Sequence, residues 1–424
     1  MKFNYSDLPD ASRIPRRPPE DAVYRTNAPS EFHDNPLYLA LPGLRTMEEV
    51  IDVIEAGNPT LDQSVLTLSV LERKERVNRV RPVLFAVRQH AAMESLVMST
   101  NRNAFSSRHW TARFMEKSIG AAWGANNGSR FEDDPVGAGA VFGGPGEGKT
   151  VSLKTILMSC PQVVHHHTFK GQRIGVIQVV WMYLSMPPKA SPSGLLAWIM
   201  FVLDLVLGTN YLNELERDKG NHSLKTRLVA SKLATHAVGV IYCDEFQNIQ
   251  AGAATQRKEL DNTLQELINL TQTRFVFVGT HESRSVLKSP ALERRMIGEE
   301  GQLIWRPLPL GAEWNDFLER LWEWQVTKIP TPLTQELKVA LHRLTGGVPD
   351  YAKKLFQAAQ SRIIGNSKHP EEQLSLEVFQ STLEESFTDL HEKLETQFKI
   401  QRKVSEANAR AAASAEKAAA GRAA

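Results

Sequence analysis

The stretch GGPGEGKT, from Gly143 to Thr150, sets glycines and a proline around one acid and closes on Gly-Lys-Thr. Glycine is costly to order, so a run this dense implies something seated against its backbone. The spacing Gly143-x-x-x-x-Gly148-Lys149-Thr150 is the P-loop pattern. In that pattern the backbone of Gly143, Gly144, Pro145, Gly146, Glu147 and Gly148 wraps phosphate oxygens with inward-turned N–H groups. A helix starting near Lys149 adds its positive end. Lys149 would reach the outer phosphates, Thr150 would ligate Mg²⁺, and Val151 follows in the first helical turn. ATP with Mg²⁺ is the expected ligand pair.

A second group lies in GVIYCDEFQNI (239–249), an apolar run ending in two acids. Asp244 would hold the hydration shell of the Mg²⁺ ion and Glu245 would orient and polarise an attacking water. A glutamate in this place argues for hydrolysis, because switch GTPases generally use glutamine. In RFVFVGTHE the run ends at Thr280, whose hydroxyl would contact the γ-phosphate or the water. In SPALERRMIG, Arg294 and Arg295 precede the last apolar run. One of the two, left open here, would reach a neighbouring subunit's γ-phosphate and stabilise transition-state charge. TGGVPDYAKKL (345–355) reads as helix, Gly-Gly turn, helix, and suits a small helical lid. Lys353 and Lys354 are its basic residues; it has no arginine.

These residues need a scaffold. The apolar runs are AVF (140–142), RIGVIQVVWMYLSM (173–186), HAVGVIYCDEF (236–246), TRFVFVGT (273–280) and QLIWRPLP (302–309). They lack polar alternation, which suits strands covered on both faces. Helical stretches separate them, so the expected fold is α/β: a parallel sheet between helices, with a small C-terminal helical lid and a helical N-terminal extension. The expected divisions are a flexible arm over 1–35, a helical region over 36–130, the α/β core over 131–310, a helical lid over 311–390 and an Ala-rich tail over 391–424. Thr46 with Glu49 forms a capping box at the head of one N-terminal helix.

Hydrophobic residues make up 42% and charged residues 23% of the 424, an ordinary globular balance. A net charge of +2 neither demands nor excludes nucleic acid. Two distant cysteines, Cys160 and Cys243, exclude a disulfide framework and fit a reducing cytosol. The most apolar run, GLLAWIMFVLDLVLG (194–208), is too short to span a bilayer. The expectation is a cytoplasmic protein with no membrane partner.

Taken together, NPLYLALPGLRTMEEVIDVI, VRPVLFAVRQHAAMESLV, VFGGPGEGKT, VIYCDEFQNI, FVFVGTHESRSVLKSPALERR and LTGGVPDYAKKLF are similar to the transposon-encoded AAA+ regulators of the TnsC/TniB kind. The P-loop and Asp-Glu motifs belong to AAA+ proteins generally; NPLYLALP and FVGTHESRSVLKSPALERR are the more specific parts. The resemblance implies an ATP-binding protein that assembles as rings or helical filaments on duplex DNA. It also implies recruitment of transposase subunits and binding of a target-selection protein of the TniQ/TnsD kind, with ATP hydrolysis controlling disassembly. The stretch matching the family's DNA-contacting loop is SMPPKASPSGLL, with Lys189, Ser191 and Ser193 as candidates. Further on, NHSLKTRLVASK offers Lys225 and Arg227. Such phosphate contacts would be independent of sequence and sensitive to salt. The loop is less basic than is usual in that family.

Other features read more plainly. Three consecutive side chains, His165 to His167, do not converge on one ion, so HHH is expected in a surface loop after the P-loop helix. Trp314, Trp322 and Trp324 fall at helical spacing and suit packing. Cys243 suits a buried apolar position. Two other functions share the same motifs: an initiator or helicase-loader ATPase, and a signalling NTPase whose partners are only proteins. A winged-helix domain after the lid would favour the loader; the Ala-rich tail is poorly suited to one. The terminal segments suit docking.

Overall fold

The structure, a computed structural model, describes residues 8–61, 63–106, 108, 120, 137–186, 191–251, 254–285 and 301–387. The described strands in chain order are β1 Glu20–Asp21, β2 Ala138–Phe142, β3 Val163–Phe169, β4 Gln172–Val179, β5 Trp181–Ser185, β6 Val240–Asp244, β7 Arg274–Gly279 and β8 Gln302–Ile304. They form a five-stranded sheet of order β5-β6-β7-β2-β8 and a three-stranded sheet of order β1-β3-β4. Every pairing in the larger sheet is parallel. The chain runs from β2 out to β5, returns through β6 and β7, then passes β2 to reach β8. Strand order therefore reverses at β2, and the carboxyl ends beside it form the crevice where open α/β sheets bind ligands.

Both faces of the larger sheet are covered, as the unbroken apolar runs require. Phe142, Leu184, Ile241, Cys243 and Phe277 share one buried cluster with helices Pro192–Leu207, His222–Thr235 and Ala254–Thr271. On the other face the Tyr242 hydroxyl donates to Asn101 Oδ1 at 2.9 Å, in helix Arg88–Ser106. Each fully buried Leu, Ile or Phe contributes about 1.5–3 kcal/mol. The NPLYLALP stretch has a bracing role. Asn35 is fully buried, caps helix Pro36–Leu39 by accepting from the Tyr38 N–H at 3.2 Å, and donates to the Phe105 carbonyl at 2.6 Å.

The run 173–186 is not one strand. It splits at Val180: β4 pairs antiparallel with β3, and β5 pairs parallel with β6 in the other sheet. His165 to His167 lie in β3 rather than in a loop, because Lys170 and Gly171, both at positive φ, turn the chain back as a tight hairpin. The segment expected as a flexible arm is laid down from residue 8 onward. Ile14 enters the main core cluster, and the Glu20–Asp21 strand pairs with Val164 and His165 of β3.

The chain divides into two compact units, one of Met1–Ala56 with Arg88–Arg306, the other of Gly57–Val87 with Pro307–Ala424. Gly57–Val87, grouped by the sequence reading with the N-terminal helices, thus packs with the C-terminal helices. The Thr46–Glu49 capping box is present in the first unit. In the second, Trp314 and Trp322 are buried, and their ring N–H groups donate to the carbonyls of Lys338 at 2.9 Å and Thr331 at 2.6 Å. Helices Gln335–Thr345 and Pro349–Ile363 flank the Gly-Gly turn as expected. Lys353 donates to the Val83 carbonyl at 2.9 Å and Lys354 pairs with Asp350 at 2.6 Å.

One carboxylate ties the second unit's two segments together. Glu372 accepts two bonds from buried Arg73, one of them at 2.9 Å, and further bonds from the N–H groups of Gly365 at 2.9 Å and Lys328 at 2.8 Å. Those bonds, with the Arg73 guanidinium foremost, hold its carboxyl at about 2 against an ordinary 4.5. Its stabilising contribution is therefore complete above the ordinary value and lost as pH falls towards about 2. Replacing Glu372 by Gln leaves Arg73 buried without a counter-charge, which should cost about 3–5 kcal/mol. Thermal unfolding at neutral pH, repeated into acid, checks this: the gap between the two proteins should narrow as the natural carboxyl protonates.

Candidate functional site

Four segments meet at the carboxyl edge of the larger sheet: the loop after β2, the ends of β5 and β6, and the turn after β7. The register sets Phe142 beside Gly279, Phe142 beside Ile304, and Ser185 beside Asp244. Each strand is buried along its length, so polar side chains appear where it ends.

The loop Gly143–Thr150 leaves β2 and enters helix Lys149–Met158, whose cap is Gly148 at φ 97° in the left-handed region. No side chain caps this helix, so its first N–H groups are kept for another acceptor. Gly143 is required by close approach: a Cβ there would lie 2.4 Å from Glu147 Oε2 and 2.7 Å from the Trp305 carbonyl. The Lys149 ammonium donates to the carbonyls of Gly143 at 2.9 Å and Gly144 at 2.6 Å. Burial pulls its pKa down, against the opposing pull of Glu147, Asp244, Glu245 and Glu282. Pro145 is exposed at the loop tip, Gly146 and Thr150 are half-buried, and Val151 is exposed in the first turn.

Asp244 is buried at the end of β6. Its Oδ2 accepts from the Tyr183 hydroxyl at 2.7 Å and its Oδ1 from the Glu245 N–H at 2.8 Å. Burial, with Asp244 beside it, pushes the Tyr183 phenol up, so Tyr183 stays a donor. Glu245 sits at φ 55°, a left-handed conformation that costs a non-glycine residue about 1 kcal/mol or more. Just beyond the strand end, the Gln247 amide donates to the Glu245 carboxylate. The Gln247 amide oxygen in turn accepts from the Thr280 N–H at 3.3 Å. Gln247 thereby links the two residues that sequence reasoning assigned to the water and the γ-phosphate. The Thr280 side chain hydrogen-bonds Glu282 and holds that carboxyl below its usual range.

Several contributors were not foreseen. Trp305 is buried just after β8, and its ring N–H donates to the Glu147 carbonyl at 2.7 Å, bracing the loop from below. A tryptophan at the end of an apolar run signals such a bond, since a buried ring N–H needs an acceptor. Tyr183, Gln247 and Glu282 carried no comparable signal. Lys154, one turn into the P-loop helix, lies 4.7 Å from the Tyr183 ring centre and donates to the Arg13 carbonyl at 3.0 Å.

Lys149 lies within electrostatic reach of four carboxylates, Glu147, Asp244, Glu245 and Glu282. The Asp244 carboxylate and Thr150 hydroxyl, as hard oxygen donors, fit Mg²⁺ accompanying a polyphosphate.

The remaining candidates divide. Ser191 is committed as the cap of helix Pro192–Leu207, accepting from the Gly194 N–H at 3.0 Å, while Ser193 is exposed in its first turn. Lys225 and Arg227 are half-buried on helix His222–Thr235. Lys189, Arg294 and Arg295 lie outside the described residues.

A family model described as an AAA domain matches residues 133–287, a span that holds the P-loop, Asp244, Glu245 and Thr280. With the sheet described above, this part of the chain is an AAA P-loop domain flanked by helical regions. A Walker-type ATPase of Pyrococcus abyssi is similar in structure at 11% identity and a TM-score of 0.36, over 68% of this chain and 76% of that one. No curated protein matches the chain. Among the described residues, no helix is long and apolar enough to cross a membrane.

Glu147 gives the site a pH dependence. Its Oε2 accepts from the Gly144 N–H at 2.7 Å, a donor that a phosphate would use, and burial raises its carboxyl to about 7. Above that pH the ionised group competes with and repels an incoming phosphate; below it the neutral group resembles glutamine. Glu147→Gln should therefore bind ADP more tightly than the natural protein at about pH 8.5, by about tenfold or 1.4 kcal/mol. The difference should shrink below pH 7. Titration with a fluorescent ADP across this range checks it.

Proposed function

We propose that the chain is an ATP-hydrolysing, DNA-binding oligomeric regulator of transposition that links target-site selection to transposase recruitment. The observation that supports the ATPase part is the hydrogen-bonded path Glu245–Gln247–Thr280 at the mouth of the P-loop. Glu245 takes the proton of a water that attacks the γ-phosphorus, and the bond to the ADP oxygen breaks. Asp244, fixed by Tyr183, and Thr150 would hold Mg²⁺, which when bound would supply charge neutralisation to the phosphates. Gln247 keeps the Glu245 carboxylate and the Thr280 backbone in one geometry, so water and phosphate are positioned together.

What supports the DNA and transposition part is the similarity of NPLYLALP, FVGTHESRSVLKSPALERR and the motifs between them to the TnsC/TniB regulators. In this reading Lys189, Ser193, Lys225 and Arg227 contact phosphates of duplex DNA. Arg294 or Arg295 completes a neighbouring subunit's site. Hydrolysis then disassembles a ring or filament.

Glu245→Gln should keep nucleotide binding, lower the ATPase rate by about 10²-fold or more, and trap the assembled state. Lys149→Ala should prevent assembly. A wild-type rate in the Glu245 variant overturns the catalytic assignment. Negative-stain electron microscopy with duplex DNA, with and without a non-hydrolysable ATP analogue, checks the rest. Nucleotide-dependent rings or filaments on DNA are expected, and monomers that ignore DNA in both states would return the protein to a protein-only NTPase.

A further inference from the structure

The β1–β3 ribbon gathers three metal-ligating side chains away from the P-loop. In β3 the side chains alternate, so His165 and His167 share one face while His166 points to the other. His166 is buried there, held by Gln178 at 2.8 Å and the Tyr24 hydroxyl at 3.0 Å, which fixes the strand's orientation. The β3–β4 register shifts between His166 and Thr168, yet the His165 and His167 rings stay together, their centres 6.3 Å apart. Parallel pairing sets Asp21 of β1 directly beside His165. The three ligand atoms of Asp21, His165 and His167 lie within 4.8 Å of one another, and His167 Nε2 is 2.9 Å from Asp21 Oδ1. Asp21 and His167 are exposed and His165 is half-buried, so an ion reaches them without any opening of the core.

We propose that Asp21, His165 and His167 bind a divalent transition-metal ion of the zinc class and so fasten the N-terminal segment to the β3–β4 hairpin. Two imidazole nitrogens and one carboxylate oxygen are a donor set for Zn²⁺ or Co²⁺, with water completing the shell; Mg²⁺ prefers oxygen alone. Small side-chain rotations bring the ligands from their present spacing to metal distances of about 2.0–2.2 Å. The fastening matters because β1 is only two residues long, a marginal pairing by itself. The same N-terminal segment sends the Arg13 carbonyl to Lys154 of the P-loop helix, so the ion steadies a strut that ends beside the nucleotide site.

The test uses the full chain, stripped with chelator and kept free of nucleotide. Co²⁺ titration should give a visible ligand-field band that saturates at one equivalent and is displaced by Zn²⁺. His165→Ala and His167→Ala should abolish the band, and Asp21→Ala should weaken binding by about tenfold or more. His33→Ala, at an exposed histidine elsewhere, should leave it unchanged. In a second readout, Zn²⁺ should slow tryptic cleavage after Arg13, Arg16 and Arg25 in the natural protein but not in His165→Ala. Equal Co²⁺ binding by the natural protein and the histidine variants, or none by either, overturns the site. Binding without any change in cleavage overturns the fastening role.

Discussion

Covering the four strands β5, β6, β7 and β2 on both faces leaves no room for charged groups along their length, and the rest of this structure follows from that constraint. Charged groups on these strands fall only at their ends, and parallel pairing puts the carboxyl ends in one row. The P-loop, Asp244, Glu245 and Thr280 come from three separate segments between residues 143 and 280, yet they meet because each begins where a buried strand stops. The reversal of strand order at β2 then opens a crevice at the point where the row is most polar.

Within that row the side chains are held more firmly than their sequence motifs state. Asp244 is fixed by a phenol from the neighbouring strand and Glu245 by a strained backbone and an amide. The loop itself rests on a tryptophan ring N–H. Positioning of this kind matters because phosphoryl transfer asks little of a protein beyond geometry and charge. Lys149, by contrast, is turned onto backbone carbonyls of its own loop, and Glu147 takes up one of the loop's donors. A phosphate has to compete with both.

The motif residues and the sheet were legible because they rest on local signals: apolar runs without alternation, and glycine and lysine at fixed spacing. What escaped was set by long-range partners. The run 173–186 read as one strand because nothing in its composition marks Val180; the division arises where the chain leaves a hairpin and joins another sheet. The Lys170–Gly171 turn was a usable sign that HHH belongs to a strand, and overlooking it hid the two-residue alternation of His165 and His167. Tyr183, Gln247 and Glu282 gain their roles from the register of neighbouring strands, which composition does not encode. The alliance of Gly57–Val87 with the far end of the chain depends on Arg73 and Glu372, and either reads locally as an ordinary surface charge.

That alliance has a consequence for the order in which the protein can be made. Arg73 and Glu372 are 299 positions apart. At a synthesis rate of about 5–20 residues per second, the arginine leaves the ribosome roughly 15–60 seconds before its carboxylate exists. Until the helices after Pro307 emerge, Gly57–Val87 has no core of its own to enter, while the nucleotide-binding unit, whose last strand ends at Ile304, can already close. The inserted segment is therefore the last part of the first hundred residues to find its place, and a truncation before residue 307 removes the C-terminal helices whose core it shares.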